Sequence, residues 1–235
     1  MKDKAVQKYA GRDICRRKRG ENTMQENRYG NNMVCIKGRI VSGLSYSHKV
    51  FGEKFYLLDI GTGRDSGYMD VIPLMVSEKL MNAGEDYTGR TVSAVGQLRS
   101  YNRHEEGKRR LKLSVFVQDV SFPEEDSSTH NRIALDGFLC REPVYRKTPK
   151  GREIADILLA VNRPYGKSDY IPCIAWGRNA KQAARIEVGT AVKIRGRIQS
   201  REYVKQVSET EAENRVAYEV SITALEPEAA LSCTG

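Results

Sequence analysis

The chain has 235 residues, of which 40% are hydrophobic and 29% charged, and its formal net charge is +9. That length suits two domains of about 100 residues each. No apolar run approaches the roughly 20 residues of a membrane span, and Met1-Lys2-Asp3-Lys4 has no apolar core behind it, so neither a span nor a secretory signal is expected.

From the N-terminus, residues 1–31 are polar, lack a sustained apolar period and carry the run Arg16-Arg17-Lys18-Arg19. They read as a flexible basic arm supplying five of the nine net positive charges. A first unit is expected over 32–122, an acidic Ser/Thr/Pro linker over 123–130, a second unit over 131–226 and a frayed tail over 227–235. The two units are the same unit twice. Gly89, Val92, Gly96 and Ser100 return as Gly189, Val192, Gly196 and Ser200, an offset of 100. Asn32, Val34, Gly38, Ile72 and Pro73 answer to Asn131, Ile133, Gly137, Ile171 and Pro172 at an offset of 99. One unmatched residue between the sets is what a loop indel in a duplicated domain leaves.

Inside each unit the dominant period is two. Val34, Ile36, Gly38 and Ile40 form one face, as do Leu111, Leu113, Val115 and Val117. In the second unit Val192, Ile194, Gly196 and Ile198 alternate with Lys193, Arg195, Arg197 and Gln199, and Val216, Tyr218, Val220 and Ile222 repeat the pattern. Tyr218 therefore reads as core. Each unit offers about five strands and one helical interruption, near Ser77–Met81 in the first and at Asn179–Ile186 in the second. Mid-strand Gly38, Gly96, Gly137 and Gly196 mark sharp coiling or bulges. An all-β chain of two tandem five-stranded barrels follows, with the strand and helix order of an OB-fold.

Catalytic chemistry is not expected. There is no G-x-x-x-x-G-K-[ST] and no G-x-G-x-x-G opening a helix, and Gly61-Thr62-Gly63 reads as a loop between strands. His48, His104 and His130 lie in polar, loop-like stretches away from any nucleophile or metal-ligand spacing. Cys15, Cys35, Cys140, Cys173 and Cys233 are odd in number, dispersed and never C-x-x-C. That argues against a zinc site or disulfide framework, suits a reducing cytoplasm, and leaves Cys35, Cys140 and Cys173 as small strand hydrophobes. No enzyme, cofactor or metal is expected.

What the second unit offers is aromatic rings among cations: Tyr165, Tyr170, Trp176 and Tyr203 beside Arg163, Lys167, Arg178 and Arg201. Unpaired nucleobases need flat side chains to stack on, and their phosphates need cations. Trp176 alone has a strong rival reading as a core residue.

At these residues a resemblance enters. Gly151-Arg152-Glu153-Ile154-Ala155, Ala160-Val161-Asn162-Arg163, Tyr170-Ile171-Pro172-Cys173-Ile174-Ala175-Trp176-Gly177 and Gly196-Arg197-Ile198-Gln199-Ser200-Arg201-Glu202-Tyr203, in that order, resemble the bacterial single-stranded DNA-binding protein family. Glu142-Pro143-Val144-Tyr145-Arg146-Lys147-Thr148-Pro149 also matches it. The resemblance implies base-stacking by Tyr165, Tyr170, Trp176 and Tyr203, and phosphate contacts by Lys147, Arg163, Arg178, Arg197 and Arg201. Lys193 and Arg195 are further candidates or solvated strand-face charges.

Two departures matter. Val71 and Ser77 stand where the second unit has Tyr170 and Trp176, and Arg103 stands for Tyr203. Tyr101, backed by Arg99, Arg103 and Lys108-Arg109-Arg110, is then the first unit's best aromatic candidate, and that unit is expected to bind weakly through charge or to serve assembly. Residues 226–235 do not resemble the acidic, apolar tip through which the family recruits replication and repair proteins, so recruitment by that route is not expected. The expected function is sequence-independent binding of single-stranded DNA in replication, recombination or repair, by a cytoplasmic homodimer carrying four OB-folds. An OB-fold adaptor of a restart or conjugation complex and an RNA-binding protein are the alternatives.

Overall fold

The computed structural model describes residues 30–105, 108–123, 128–206 and 212–228. Residues 1–29 of the expected basic arm with its Arg16–Arg19 run, residues 124–127 of the acidic linker and the end of the tail lie outside the described residues. Strands β1 (Asn32–Ile40), β2 (Ser45–Val50), β3 (Glu53–Gly63), β4 (Met69–Ser77), β5 (Thr91–Glu105) and β6 (Lys108–Ser121) form the first half. The second half contains β7 (His130–Leu139), β8 (Val144–Lys147), β9 (Glu153–Asn162), β10 (Ser168–Trp176), a short helix α1 (Arg178–Ala183), β11 (Ala191–Gln206) and β12 (Ala212–Pro227).

Each half is a ring. In the second, β7 pairs with β9, β9 with β10, β10 in parallel with β12, β12 with β11, and β11 with β7. In the first, β1, β3, β4, β6 and β5 close in the same order, with β4 and β6 the parallel pair. This is the five-stranded OB-fold order, and β2 and β8 are short strands hairpinned onto β3 and β9. The rings close around residues of the predicted alternation: Val34, Ile36 and Ile40 in one, Val192, Ile194 and Ile198 in the other, each no more than 1% exposed.

The mid-strand glycines are places of close backbone approach. A Cβ on Gly137 would lie 2.6 Å from the Ala160 carbonyl oxygen, and on Gly196 closer still to that of Ser221. Gly96 and Gly196 also mark the irregularities in the β5–β6 and β11–β12 registers.

Four expectations are corrected. Residues 78–90 form turns rather than a helix, because Asn82 accepts from the Gly84 N–H at 3.1 Å and Asp86 from that of Thr88 at 2.9 Å. Such side-chain bonds compete with helical ones, whereas buried Ala180 and Ala183 give α1 an apolar face. Gly61-Thr62-Gly63 is the end of β3, with Thr62 buried, not a loop. The histidines lie in strands: His48 in β2, His104 in β5 and His130 at the start of β7. Cys35 is disulfide-bonded, against the expectation for a strand hydrophobe, while Cys140 and Cys173 are free.

The halves join by an antiparallel pairing of β1 with β7, in which Val34 faces Ile133, Asn32 faces Leu135 and Ile36 faces Asn131. Val34 and Ile133 are themselves equivalent in the repeat, so an approximate two-fold axis passes between them, as in an isologous dimer written into one chain.

Two further contacts obey the same symmetry. Asp70 of β4, 1% exposed, pairs with Arg64 and accepts from the Ser200 N–H of β11 at 2.7 Å. Asp169 of β10, fully buried, pairs with Arg163 and Arg99 and accepts from the Ser100 N–H of β5 at 2.6 Å. Ser100 Oγ accepts from the Tyr170 N–H at 2.8 Å, and Ser200 Oγ from that of Val71 at 3.2 Å. Within each half, Asn32 and Asn131 exchange two hydrogen bonds with the backbone of Leu98 and Ile198, extending the ladder with an amide side chain.

Burial pushes the Asp169 carboxyl up, but Arg163, the Ser100 N–H and Arg99 outweigh it and hold the group below the ordinary 3.8. A depressed carboxylate contributes stability above its unfolded pKa and loses it as pH falls through the folded value. Asp169→Asn, which leaves two guanidiniums unpaired at the joint, is expected to lower unfolding stability by about 3–5 kcal/mol in urea at neutral pH. It should also remove part of the loss of stability that the unaltered chain shows below about pH 4. Equal urea midpoints for the two chains would contradict this account.

Candidate nucleic-acid interface

The outward face of the second ring is floored by strands whose inward residues are spent on the core. On β10, Ile171, Cys173 and Ala175 are buried, which turns Tyr170, Pro172, Ile174 and Trp176 the other way. Ile174 and Trp176, with Ile154 and Asp156 of β9, Glu219 and Ser221 of β12 and Arg197, Gln199 and Arg201 of β11, line a groove of about 930 Å³. One wall is the β8–β9 hairpin, through Arg146, Thr148 and Arg152. The opposite wall comes from the first half: Arg64, Ser66 and Tyr68 of the β3–β4 loop. The Arg64–Asp70 pair and the bond from Arg64 to the Ser200 carbonyl at 3.1 Å fix that loop against β11.

Trp176 is neither sealed nor loose. It is half-buried, and its indole N–H donates to Ser221 Oγ at 3.1 Å. One edge of the ring is satisfied while the rest borders the groove. The core reading of this residue does not hold.

Around the indole, Arg146 is engaged with Asp156 at 2.8 Å, and Gln199 with Glu219 at 2.6 Å. Arg152, Arg197 and Arg201 make no salt bridge among the described residues. Arg201 lies 5.7 Å from the Tyr203 ring centroid. Lys147, at the end of β8, faces Glu153 across the ladder, but that carboxylate is held below its usual value by Lys181, 3.0 Å away, and by Tyr145.

The other expected residues fall elsewhere. Tyr203 is exposed on the arm of β11 and β12 that extends past the ring. Tyr165 is fully exposed at φ +65°, a left-handed conformation that costs a non-glycine residue about 1–2 kcal/mol. Tyr170 is half-exposed and hydrogen-bonded through its N–H to β5, so it sits at the joint with the first half. Arg178 lines a separate depression of about 590 Å³ with Lys181 and Arg185.

Arg163 and Arg99 are both paired with buried Asp169, so these two guanidiniums are engaged at the joint. Lys193 pairs with Glu228 at 3.1 Å. Tyr101 is exposed on β5, and Arg103 lies in the same strand opposite Arg110. Tyr218 packs against the core, and burial together with the Asp59 carboxylate pushes its phenol up to about 12.

Sequence reasoning missed Arg146, Arg152 and the Arg64–Tyr68 loop as groove residues. The first two lie inside the stretches that carried the resemblance, so their signal was present. The loop's position follows only from the joint.

Because the single tryptophan borders a groove in which Arg152, Arg197 and Arg201 make no salt bridge among the described residues, its native emission should be quenched more efficiently by iodide than by caesium at equal ionic strength. Equal or negligible quenching by both ions would mean the indole is not where it is described.

Residues 130–226 match the model of the single-strand binding protein family. The chain is 39% identical over 80 residues to the single-stranded DNA-binding protein of Halalkalibacterium halodurans, a match covering 31% of this chain and 48% of that one. To single-stranded DNA-binding protein A of Bacillus subtilis it is 35% identical over 97 residues, covering 36% and 56%. The chain thus spans about half the length of the curated relatives it matches. The crystal structure of the wild-type single-stranded DNA binding protein from Thermus aquaticus superposes with a TM-score of 0.64 at 19% identity, over 87% of this chain and 96% of that one. This last likeness is one of fold, and it extends over both rings. The sequence likeness to the single-strand binding protein family is thus carried by residues 130–226, and the likeness of the whole chain to the Thermus protein is one of fold.

Proposed function

We propose that the chain binds single-stranded DNA without marked sequence preference, keeping it unpaired during replication, recombination or repair, and that the Trp176 groove is its principal contact. The observation that carries this reading is an indole held by Ser221 at the border of a groove whose Arg152, Arg197 and Arg201 have no carboxylate partner among the described residues. Bases stack on Trp176 and, along the extended β11–β12 arm, on Tyr203. The unpaired arginines and Lys147 take the phosphates. Stacking is indifferent to base identity because every base offers a flat face. The names of the relatives support the same substrate.

Titration with oligo-dT is expected to quench Trp176 emission, with an affinity that falls steeply as salt rises. Trp176→Ala should weaken binding by about 1–3 kcal/mol. Arg197→Ala should lower the slope of log K against log salt by about 0.7, the share of one cation on a single strand. If emission and affinity are both indifferent to oligo-dT, the reading is wrong and the adaptor role takes its place. Oligo-U of equal length bound more tightly than oligo-dT would move the assignment to RNA.

We further read the protein as a homodimer of four rings. The β1 and β7 edges are already consumed within the chain, so the pairing has to use other surfaces. Sedimentation equilibrium returning the mass of a single chain at micromolar concentration would exclude it.

A further inference from the structure

The first half does not lack a ring cluster at the equivalent place; its rings sit on different strands. The ladders fix the correspondence. Phe55 faces Ser77 as Ile154 faces Trp176. His48 faces Phe55 as Arg146 faces Ile154. Phe116 stands beside Gln97 and Met75 as Ser221 stands beside Arg197 and Ile174. Where the second half has a ring on its central strand and small or aliphatic neighbours, the first has Ser77 in the centre and rings on both sides.

These rings form a series. His48 is stacked on Phe55 at 5.2 Å and 14°, and Phe55 approaches Phe116 at 5.6 Å and 34°. His48 is exposed, and Phe55 and Phe116 are half-buried, facing away from a core filled by Leu58, Val115 and Val117. Ser47 Oγ lies 2.9 Å from His48 Nδ1 and steadies the imidazole. Lys49 and Lys54, exposed and cross-strand neighbours, make no salt bridge among the described residues.

The tip of the same hairpin carries a second sign. Phe51 and Gly52 both have positive φ, +46° and +86°, in a two-residue turn between β2 and β3. Such a turn favours asparagine before glycine, and a bulky side chain there is strained. Phe51 is nonetheless fully exposed, so it packs on nothing that would offset the strain.

We propose that His48, Phe55 and Phe116, with Phe51 at the hairpin tip, form a second base-stacking surface for the same single strand that occupies the Trp176 groove. This rests on the single-stranded DNA reading above and revises the expectation that the first half binds weakly through charge. Three things favour a nucleic-acid strand as occupant over a second protein: the positional match to the groove, the unpaired lysines on its border, and the joint that holds both surfaces in one rigid chain. Tyr101 is exposed on β5 of this half, and the Tyr170 N–H donates to Ser100 of that same strand.

The test moves the only indole into the first half. In a Trp176→Phe, Phe116→Trp chain, oligo-dT of roughly 30 nucleotides, long enough for two OB-folds, is expected to quench the new indole, reversibly with salt. Phe51→Asn in the otherwise unaltered chain is expected to raise Tm and weaken binding of that oligonucleotide 5-fold or more. A purely structural role for Phe51 predicts the first change without the second. Unchanged indole emission at concentrations that saturate the anisotropy of labelled oligo-dT, or full affinity in Phe51→Asn, overturns the second surface and leaves the Trp176 groove standing. No anisotropy change with the unaltered chain overturns both.

Discussion

Two buried aspartates hold this molecule in one piece. A carboxylate taken out of water is tolerated only when its lone pairs are filled, and neither Asp70 nor Asp169 can fill its own from one half of the chain. Each draws an arginine from its own ring and a backbone N–H from a serine of the other. Separating the halves would strip each carboxylate of its cross-joint serine N–H, so the ladder between β1 and β7 is locked at both flanks. The same bonds anchor the loops that follow β3 and β9. Tyr68 reaches the groove of the other half because Arg64, four residues earlier, is tied down.

This arrangement explains what the repeat in the sequence was recording. Asn32 and Asn131 recur because each side chain continues a ladder that the backbone cannot. Ser100 and Ser200 recur because each satisfies an aspartate across the axis. Gly96 and Gly196 recur because a strand crosses too close for a Cβ. Repetition thus reported the scaffold and the joint, and the strand alternation reported the core. The missing helix was not legible because Asn82 and Asp86 act through local bonds that a count of apolar spacings ignores. The part Arg99 plays at the joint was illegible for a related reason: its carboxylate partner, Asp169, lies 70 positions away.

The ring cluster of the first half was illegible for a different reason. Position-by-position comparison along one strand asks whether Ser77 is aromatic and stops at the answer. The face of a sheet, however, is a two-dimensional surface, and Phe55 and Phe116 occupy the neighbouring columns. Only the register, which places Phe55 opposite Ser77 and Phe116 beside Met75, reveals that the missing ring has been displaced rather than lost.

The two faces also differ in how they hold their rings ready. In the second half a single hydrogen bond from the indole to Ser221 fixes one large ring, and the charges needed for phosphates stand around it on β11 and on the β8–β9 hairpin. In the first half the rings fix each other, and His48 supplies the polar edge where the second half has Arg146. A ring restrained before the ligand arrives loses less freedom on binding, so both devices favour association. Their dependence on conditions differs. Under the proposed function, the arginine-lined groove would draw much of its affinity from counterion release, which salt abolishes, whereas an aromatic series flanked by two lysines would depend chiefly on stacking. A strand laid across both would therefore be held at high salt by the half that the sequence had marked as the weaker one.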